Sequence, residues 1–571
     1  MDRNLVLAIA LSVLIIVGFQ YFTQPYSTPP ANQPIATGES AAKPEKTKVA
    51  RVDDQGQDMN GKPEPSKPEA TSADVPTQAP VPSVPVIDKR ITIDSPLYEA
   101  VLSSVGGRIV SFRLKNFRIS PGSEELVNLF PPNGPDTSGV SIRLTRANEV
   151  FTDNGLGYTF EGDQTAHLIK GPGETSSVTL KAVSPSGLSF TKTYVFRSDT
   201  YLVDVIFSIT NTTNQGRNYL VTFPLKKSFF DDAQQFAWNS AEILIGGVLK
   251  DYYFKDIKGD EELSGQVEWA GLGEVYFLKA LTFGHNPASK VTLLKPTKDN
   301  LAEVLIRYGS IDLPPAQEVV TKVGLYVGPK ESQALQVAGN NLSKALFYSN
   351  YVVLNVMAEY LMKFLRFCNS GFEIAGVRIP GTNNYGIDII ILTILIKILF
   401  IPLTHKSMKS MKRMQDIQPQ IAKLKEKYKD DKSALNKATM DLFREQKVNP
   451  LGSCWPMFLQ IPVFIALYQA LSYAIELRQA PFVCIPSIFL CINDLAAPDP
   501  YYVTPILMGA TMVLQQWMTP SAGDPMQKKM MLLMPVVFTY MFLSFPSGLV
   551  LYWLVSNILS IAQQIITNRM A

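Results

Sequence analysis

Residues 386–404, GIDIIILTILIKILFIPLT, are long and apolar enough to span a bilayer, and Lys397 sits about two-thirds of the way along them. A charge at that depth costs roughly 2.5–3.5 kcal/mol on insertion scales. A chain carries it only where the side chain snorkels, pairs, or faces a water-filled cavity. Lys397 is close enough to Pro402 for snorkelling, so this span alone does not choose among the three.

Four more apolar segments follow, at 454–475, 501–518, 530–545 and 549–567, and another, LVLAIALSVLIIVGFQYF (5–22), opens the chain. A cleaved signal peptide would end its apolar run in small residues. This one ends in Phe19-Gln20-Tyr21-Phe22, an aromatic belt, and reads as an uncleaved signal anchor over 1–23. Charge then orients the spans. The loop 405–453 carries twelve Lys/Arg against six Asp/Glu, whereas 476–500 has a single basic residue, Arg478. The positive-inside rule puts 405–453 in the cytoplasm. Counting from there, Arg3, Lys528-Lys529 and Arg569 also fall inside, and residues 24–385 fall outside. Six spans satisfy every charged loop.

Residues 24–88 hold twelve prolines among Ser, Ala, Lys and Glu and read as a disordered linker. From Lys89 the pattern becomes one of short strands. Tyr201, Val203, Val205, Phe207 and Ile209 alternate with Asp204 and Ser208, while Gly106-Gly107, Asn211–Asn214 and Pro314-Pro315 mark turns. Residues 89–340 therefore read as one large β-sandwich. In 345–366, Asn350, Asn355, Glu359, Lys363 and Arg366 form a polar stripe on an otherwise apolar helix, which predicts an amphipathic helix in the interface. Were it a span, the parity of the topology would break. Within 405–450, Met414, Ile417, Ile421, Leu424 and Tyr428 follow a 3-4-3-4 spacing, Leu435, Ala438 and Leu442 supply a facing stripe, and a cytoplasmic helical hairpin is expected.

The other spans favour a cavity for Lys397. Thr393 lies one turn before it on the same helix face. Gln460 lies in 454–475, Gln515 and Gln516 in 501–518, and Ser556, Asn557, Gln563 and Gln564 in 549–567. Polar groups spread over several spans require each other or water. A polar cavity between helices satisfies them all, and Lys397 places its mouth on the cytoplasmic side. Segment 530–545 is shorter than a hydrocarbon core of about 30 Å, so the bilayer is expected to thin there. Enzymatic chemistry is not expected. The spans contain no histidine, the three histidines of the chain form no metal motif, and neither a Walker lysine nor GxGxxG occurs. No cofactor and no metal are expected, and a net charge of +3 excludes a nucleic-acid footprint over the whole chain. Cys484 and Cys491 share the outside loop. A disulfide there and two thiols packed among Ile485, Ile488, Phe489 and Leu490 both remain open.

The runs NPLGSCWPMFLQIPVFIALYQAL (449–471), ELRQAPF (476–482), DPYYVTPILMG (499–509), DPMQKKMM (524–531) and FPSGLVLYWLVSN (545–557) closely resemble the YidC family of bacterial membrane-protein insertases, related to mitochondrial and chloroplast insertases. The anchor, linker and outer domain are similar to the form found in bacteria with two membranes. The resemblance implies a polytopic α-helical protein of the cell inner membrane with six transmembrane helices, both termini cytoplasmic, a five-helix insertase core at 384–571, and a large periplasmic β-supersandwich domain. It also implies a hydrophilic groove open to cytoplasm and lipid. Lys397 stands where the family usually has Arg, which keeps the charge but loses the bidentate fork. Gln460 matches a polar groove position and Trp553 an aromatic one, while Thr393 and Tyr552 match positions important in some relatives. The implied partners are nascent membrane proteins, the Sec translocon, membrane lipid, and the ribosome or signal recognition pathway through the cytoplasmic loops, with no nucleic acid. Two rivals are a secondary transporter using Lys397 as an ion or proton site, and a passive membrane assembly scaffold.

Overall fold

The computed structural model describes residues 87–571 except 131–138, 148, 163–165, 229–238, 298–300, 350, 375–376, 429–430, 447–454, 486–489, 519–524 and 571. The expected anchor, the linker up to residue 86, and Asn350 of the polar stripe lie outside the described residues.

Strands run from Arg90 to Pro329 in a five-stranded and a fourteen-stranded sheet. Alternation builds them. Leu188–Arg197 buries every second side chain, and its antiparallel partner Leu202–Asn211 buries Val203, Val205, Phe207 and Ile209. The strand Glu318–Pro329 then pairs with both Leu202–Asn211 and Phe277–Thr282. One core holds the domain together, with Tyr98, Phe112, Tyr194, Phe223 and Trp269 among its largest members. The Gly106-Gly107 turn has positive φ at both residues, which glycine tolerates. Its carbonyls accept from the ammonium of Lys192, which also pairs with Asp153. Both side chains are 0% exposed, so this charge pair seals the core and offers a ligand no entrance. Burial pulls the Lys192 amine below its ordinary range, and Asp153 opposes that.

Nine α-helices follow among the described residues: α1 (Ser332–Ala338), α2 (Val352–Ser370), α3 (Tyr385–Asp416), α4 (Gln418–Lys427), α5 (Lys432–Glu445), α6 (Trp455–Tyr473), α7 (Val503–Met518), α8 (Pro525–Phe542) and α9 (Ser547–Met570). Helix α9 is the hub, flanked by α3 and α7, with α8 against α7. Helix α2 packs on α6, and Ala358 and Met362 of the one share a buried core with Ala466 and Ala470 of the other. The windows Tyr385–His405 and Ser547–Thr567 are long and apolar enough to cross a membrane, and Leu459–Tyr473 and Leu532–Phe542 form shorter apolar helices. Large apolar side chains stand exposed on α3 (Ile394, Leu395, Ile398, Leu399) and on α8 (Leu532, Leu533, Val536, Val537).

Several elements differ from the sequence expectation. The helix expected at 345–366 runs Val352–Ser370, because residues 342–345 form a 3-10 turn and Asn355 Oδ1 accepts from the backbone N–H of Tyr348 and Ser349, fixing the chain just before the helix. Arg366 leaves the polar stripe for an ion pair with Glu476. Helix α3 passes through Pro402 and on to Asp416, so the first arm of the hairpin is broken between α3 and α4. Its small core joins Ile417 and Ile421 to Leu442, with Met414, Leu424 and Phe443 against them. Helix α5 is capped by Asp431, whose carboxylate accepts from the Ser433 and Ala434 N–H groups.

The β domain is seated on the C-terminal end of α6. Ile475 enters the β-domain core at 2% exposure. The Tyr276 hydroxyl donates to Ser472 O (3.1 Å), Arg478 donates to Ile119 O (2.8 Å), and Gln479 donates to Arg118 O (2.7 Å). The Arg478 guanidinium lies 5.7 Å from the ring centres of both Tyr276 and Phe277.

Candidate functional site

Helices α3, α6 and α9 carry the five residues singled out in the sequence. Lys397 on α3 is half-buried and donates to Ser560 Oγ on α9 (2.6 Å). Seven residues further along α3, Thr404 Oγ1 accepts from Gln563 Nε2 on α9 (2.7 Å). Gln460 on α6 reaches the Tyr552 hydroxyl on α9 at 3.5 Å, the long limit of a hydrogen bond. Tyr552 is 1% exposed. Trp553, beside it, packs edge-on to Phe464 of α6 (4.9 Å) and to Phe542 of α8 (5.2 Å).

The structure therefore joins Lys397 to α9, and Gln460 to Tyr552, as two separate polar contacts with an aromatic cluster at Trp553. Thr393 is fully buried and its hydroxyl donates back to Ile389 O (2.6 Å), a turn above it on the same helix, so it does not meet Lys397. The same polar face of α9 also reaches α7 at its edge. Asn557 Nδ2 donates to Thr511 Oγ1 of α7 (3.2 Å), and Gln564 Nε2 donates to Met518 O (2.8 Å), a carbonyl left open by the end of α7. Sequence reasoning missed Ser560, Thr404 and Thr511. Serines, threonines and amides recurring at steps of three and four along α9 were the available signal, since that period puts them on one face.

A second polar cluster holds the other end of α6. Arg366 of α2 pairs with Glu476 (2.8 Å) and donates to the Tyr348 hydroxyl (3.0 Å). Burial pulls the guanidinium down, but Glu476 and Tyr348 outweigh it and hold the cation above its ordinary range. Burial pushes Tyr348 up to about 12. Asp494, raised by burial, faces Arg478 and holds the Ala496 and Ala497 N–H groups. This arrangement positions α6 and has no nucleophile–base pair or metal-ligand set. Among the described residues no group of three or more His, Cys, Asp or Glu could hold a metal ion.

Comparison with known proteins bears on both halves. A family described as "60Kd inner membrane protein" matches residues 378–571, and one described as "YidC periplasmic domain" matches residues 90–364. "Membrane protein insertase YidC" of Geotalea daltonii is 36% identical over 572 residues, covering 100% of this chain and 99% of its own. That of Geobacter sulfurreducens is 39% identical over 486 residues, covering 83% of this chain and 85% of its own. A solved structure, "Active YidC insertase crystal structure with the first transmembrane domain resolved", is 17% identical with a TM-score of 0.37, covering 83% of this chain and 92% of that one.

Proposed function

Because this chain belongs to the YidC family of membrane protein insertases, we propose that it inserts nascent inner-membrane proteins and assists their folding through a hydrophilic groove open to cytoplasm and lipid. The family is one of insertases and not of enzymes. One observation carries the groove: Lys397, inside an apolar helix, has only a serine hydroxyl for a partner among the described residues. A half-buried ammonium with no counter-ion among the described residues is an attractive site for a passing carboxylate.

The substrate's short polar segment enters from the cytoplasmic side. Lys397 and Gln460 stand in for the water it loses, with Trp553 and the buried Tyr552 and Thr393 shaping the wall. The exposed apolar faces of α3 and α8 lie in lipid, and the apolar part of α8, Leu532–Phe542, spans only about 16 Å at 1.5 Å per residue. A bilayer thinned there shortens the path of the polar segment. Partition of the substrate's apolar helix supplies the driving force, at about 25 cal/mol per Å2 transferred. Six spans with both termini cytoplasmic satisfy the charge distribution of the loops. The β domain is then a periplasmic platform for partners. The Sec translocon works alongside, and the ribosome or signal recognition pathway docks on the cytoplasmic hairpin.

The test is insertion of a short acidic-tailed substrate in cells depleted of their own insertase. Lys397→Arg should retain activity, and Lys397→Leu should lose about tenfold or more, the scale of one charged hydrogen bond. Equal rates for the Leu variant and wild type would sink the electrostatic role.

A further inference from the structure

Helices α3 and α9 run parallel, and two contacts fix their register. Thr404 meets Gln563, and Ile389 lies against Gly548, where a side chain would approach its Cδ1 to 3.2 Å; both pairs are 159 residues apart. Lys397 and Ser560 are 163 apart. The Lys397 backbone is therefore level with Ser556. Its amine travels four residues, about 6 Å at 1.5 Å per residue, toward the C-terminal end of α9 before it is caught. Ser560 is prepared for that catch. Its hydroxyl proton goes to Ser556 O (2.8 Å), which leaves its oxygen only acceptor lone pairs to present to an ammonium.

We propose that Ser560 is a positioning residue for the groove charge. It draws the Lys397 ammonium one turn down α9 and so sets the depth at which a substrate carboxylate meets it. The inference rests on the reading of Lys397 as the charge that faces substrate. Of the three ammonium protons, one is held by Ser560 and two stay available. Without the hydroxyl, a flexible four-carbon stem lets the amine wander. An arginine at 397 would need the hydroxyl less, because its planar fork is stiff and carries five donors.

The experiment uses the full-length protein in membranes and two short substrates that differ only in an acidic or uncharged tail, with rates normalised to the amount of insertase present. Ser560→Ala should slow the acidic-tailed substrate roughly three- to tenfold and change the uncharged one by less than about twofold. Ser560→Thr, which restores the hydroxyl, should recover the wild-type ratio of the two rates. In a Lys397→Arg background, Ser560→Ala should move that ratio by less than about twofold. The inference is overturned if Ser560→Ala slows both substrates equally or neither. Lys397→Leu separates the two failures. If it discriminates between the tails and Ser560→Ala does not, positioning by Ser560 fails alone. If Lys397→Leu does not discriminate, the role of the charge itself fails.

Discussion

Glu331 caps the start of α1 without a side-chain hydrogen bond to the helix, half-buried and near Glu476 and Arg366. Burial, then the Glu476 carboxylate, push its carboxyl above the ordinary range, and Arg366 opposes them. A carboxyl raised on folding holds its proton more tightly folded than unfolded, so stability falls as pH rises from the unfolded pKa through the folded one. Glu331→Gln should therefore raise the thermal midpoint at neutral and higher pH. The gain should vanish as pH falls below the ordinary carboxylate range near ~4.3. Thermal unfolding at a series of pH values checks it, and a gain independent of pH would show that charge is not its cause. Residues like this mark the limit of sequence reading. Lys397 could be found because a charge in an apolar run is an anomaly by itself. Ser560 shows only as one of a polar series along α9, because a hydroxyl in a span costs little and only its partner 163 residues away gives it a role. Arg366 looked like one member of a helical stripe until the fold brought Glu476, 110 residues on, to meet it.

Helix α7 meets α8 at Gly509. A Cβ there would lie 2.0 Å from Thr539 Oγ1 and 3.2 Å from Thr539 Cβ. Small residues at such a crossing let two backbones approach. Gly509→Ala should cost about 1–3 kcal/mol through overpacking. Adding Thr539→Ala should recover most of it, because the second change removes the atom that clashes; thermal unfolding of the single and double variants reads this directly. A further outcome concerns the hairpin formed by residues 483–485 and 490–492. Cys484 is disulfide-bonded, and the residue opposite it in register is Cys491. Labelling of the non-reduced protein should spare Cys484 and reach the free thiol Cys368. Apolar runs located α7 and α8, since periodicity is written locally in the chain, but not this hairpin, which the sequence offered only as part of the loop 476–500. Helix ends were harder. Pro402 and the basic stretch after it suggest a boundary, yet α3 continues to Asp416, because a proline mid-helix forfeits one hydrogen bond while the turns on either side keep theirs. The start of α2 depended on Asn355 bonding the chain that precedes it, a contact that periodicity does not encode.

At the scale of the molecule, the β domain and the bundle meet through the short segment after α6, and this contact separates stability from function. Ile475 lies in the β-domain core and Arg478 lies over Tyr276 and Phe277, while the hydrogen bonds of Lys397, Gln460 and Tyr552 given above run between helices. The alternation of residues 89–340 announced a separate β domain, but nothing in the sequence announced this seat, because Ile475, Ser472 and Gln479 find their partners only across the folded interface. Deleting residues 90–329, the strands of the two large sheets, removes the cover from Ile475 and leaves the Ser472 carbonyl without its Tyr276 donor. The truncated protein should insert substrates at near the normal rate and unfold at a lower temperature. Ile475→Ser should cost the full-length protein about 2–4 kcal/mol, the scale for emptying a buried aliphatic site. In the truncated protein the same change should cost little, since the side chain already faces water. Comparing thermal midpoints of the four proteins, alongside insertion rates in a depletion strain, tests the division of labour. It fails if the truncated protein is present and stable in the membrane yet inserts nothing, for the groove would then need the domain that sits on it.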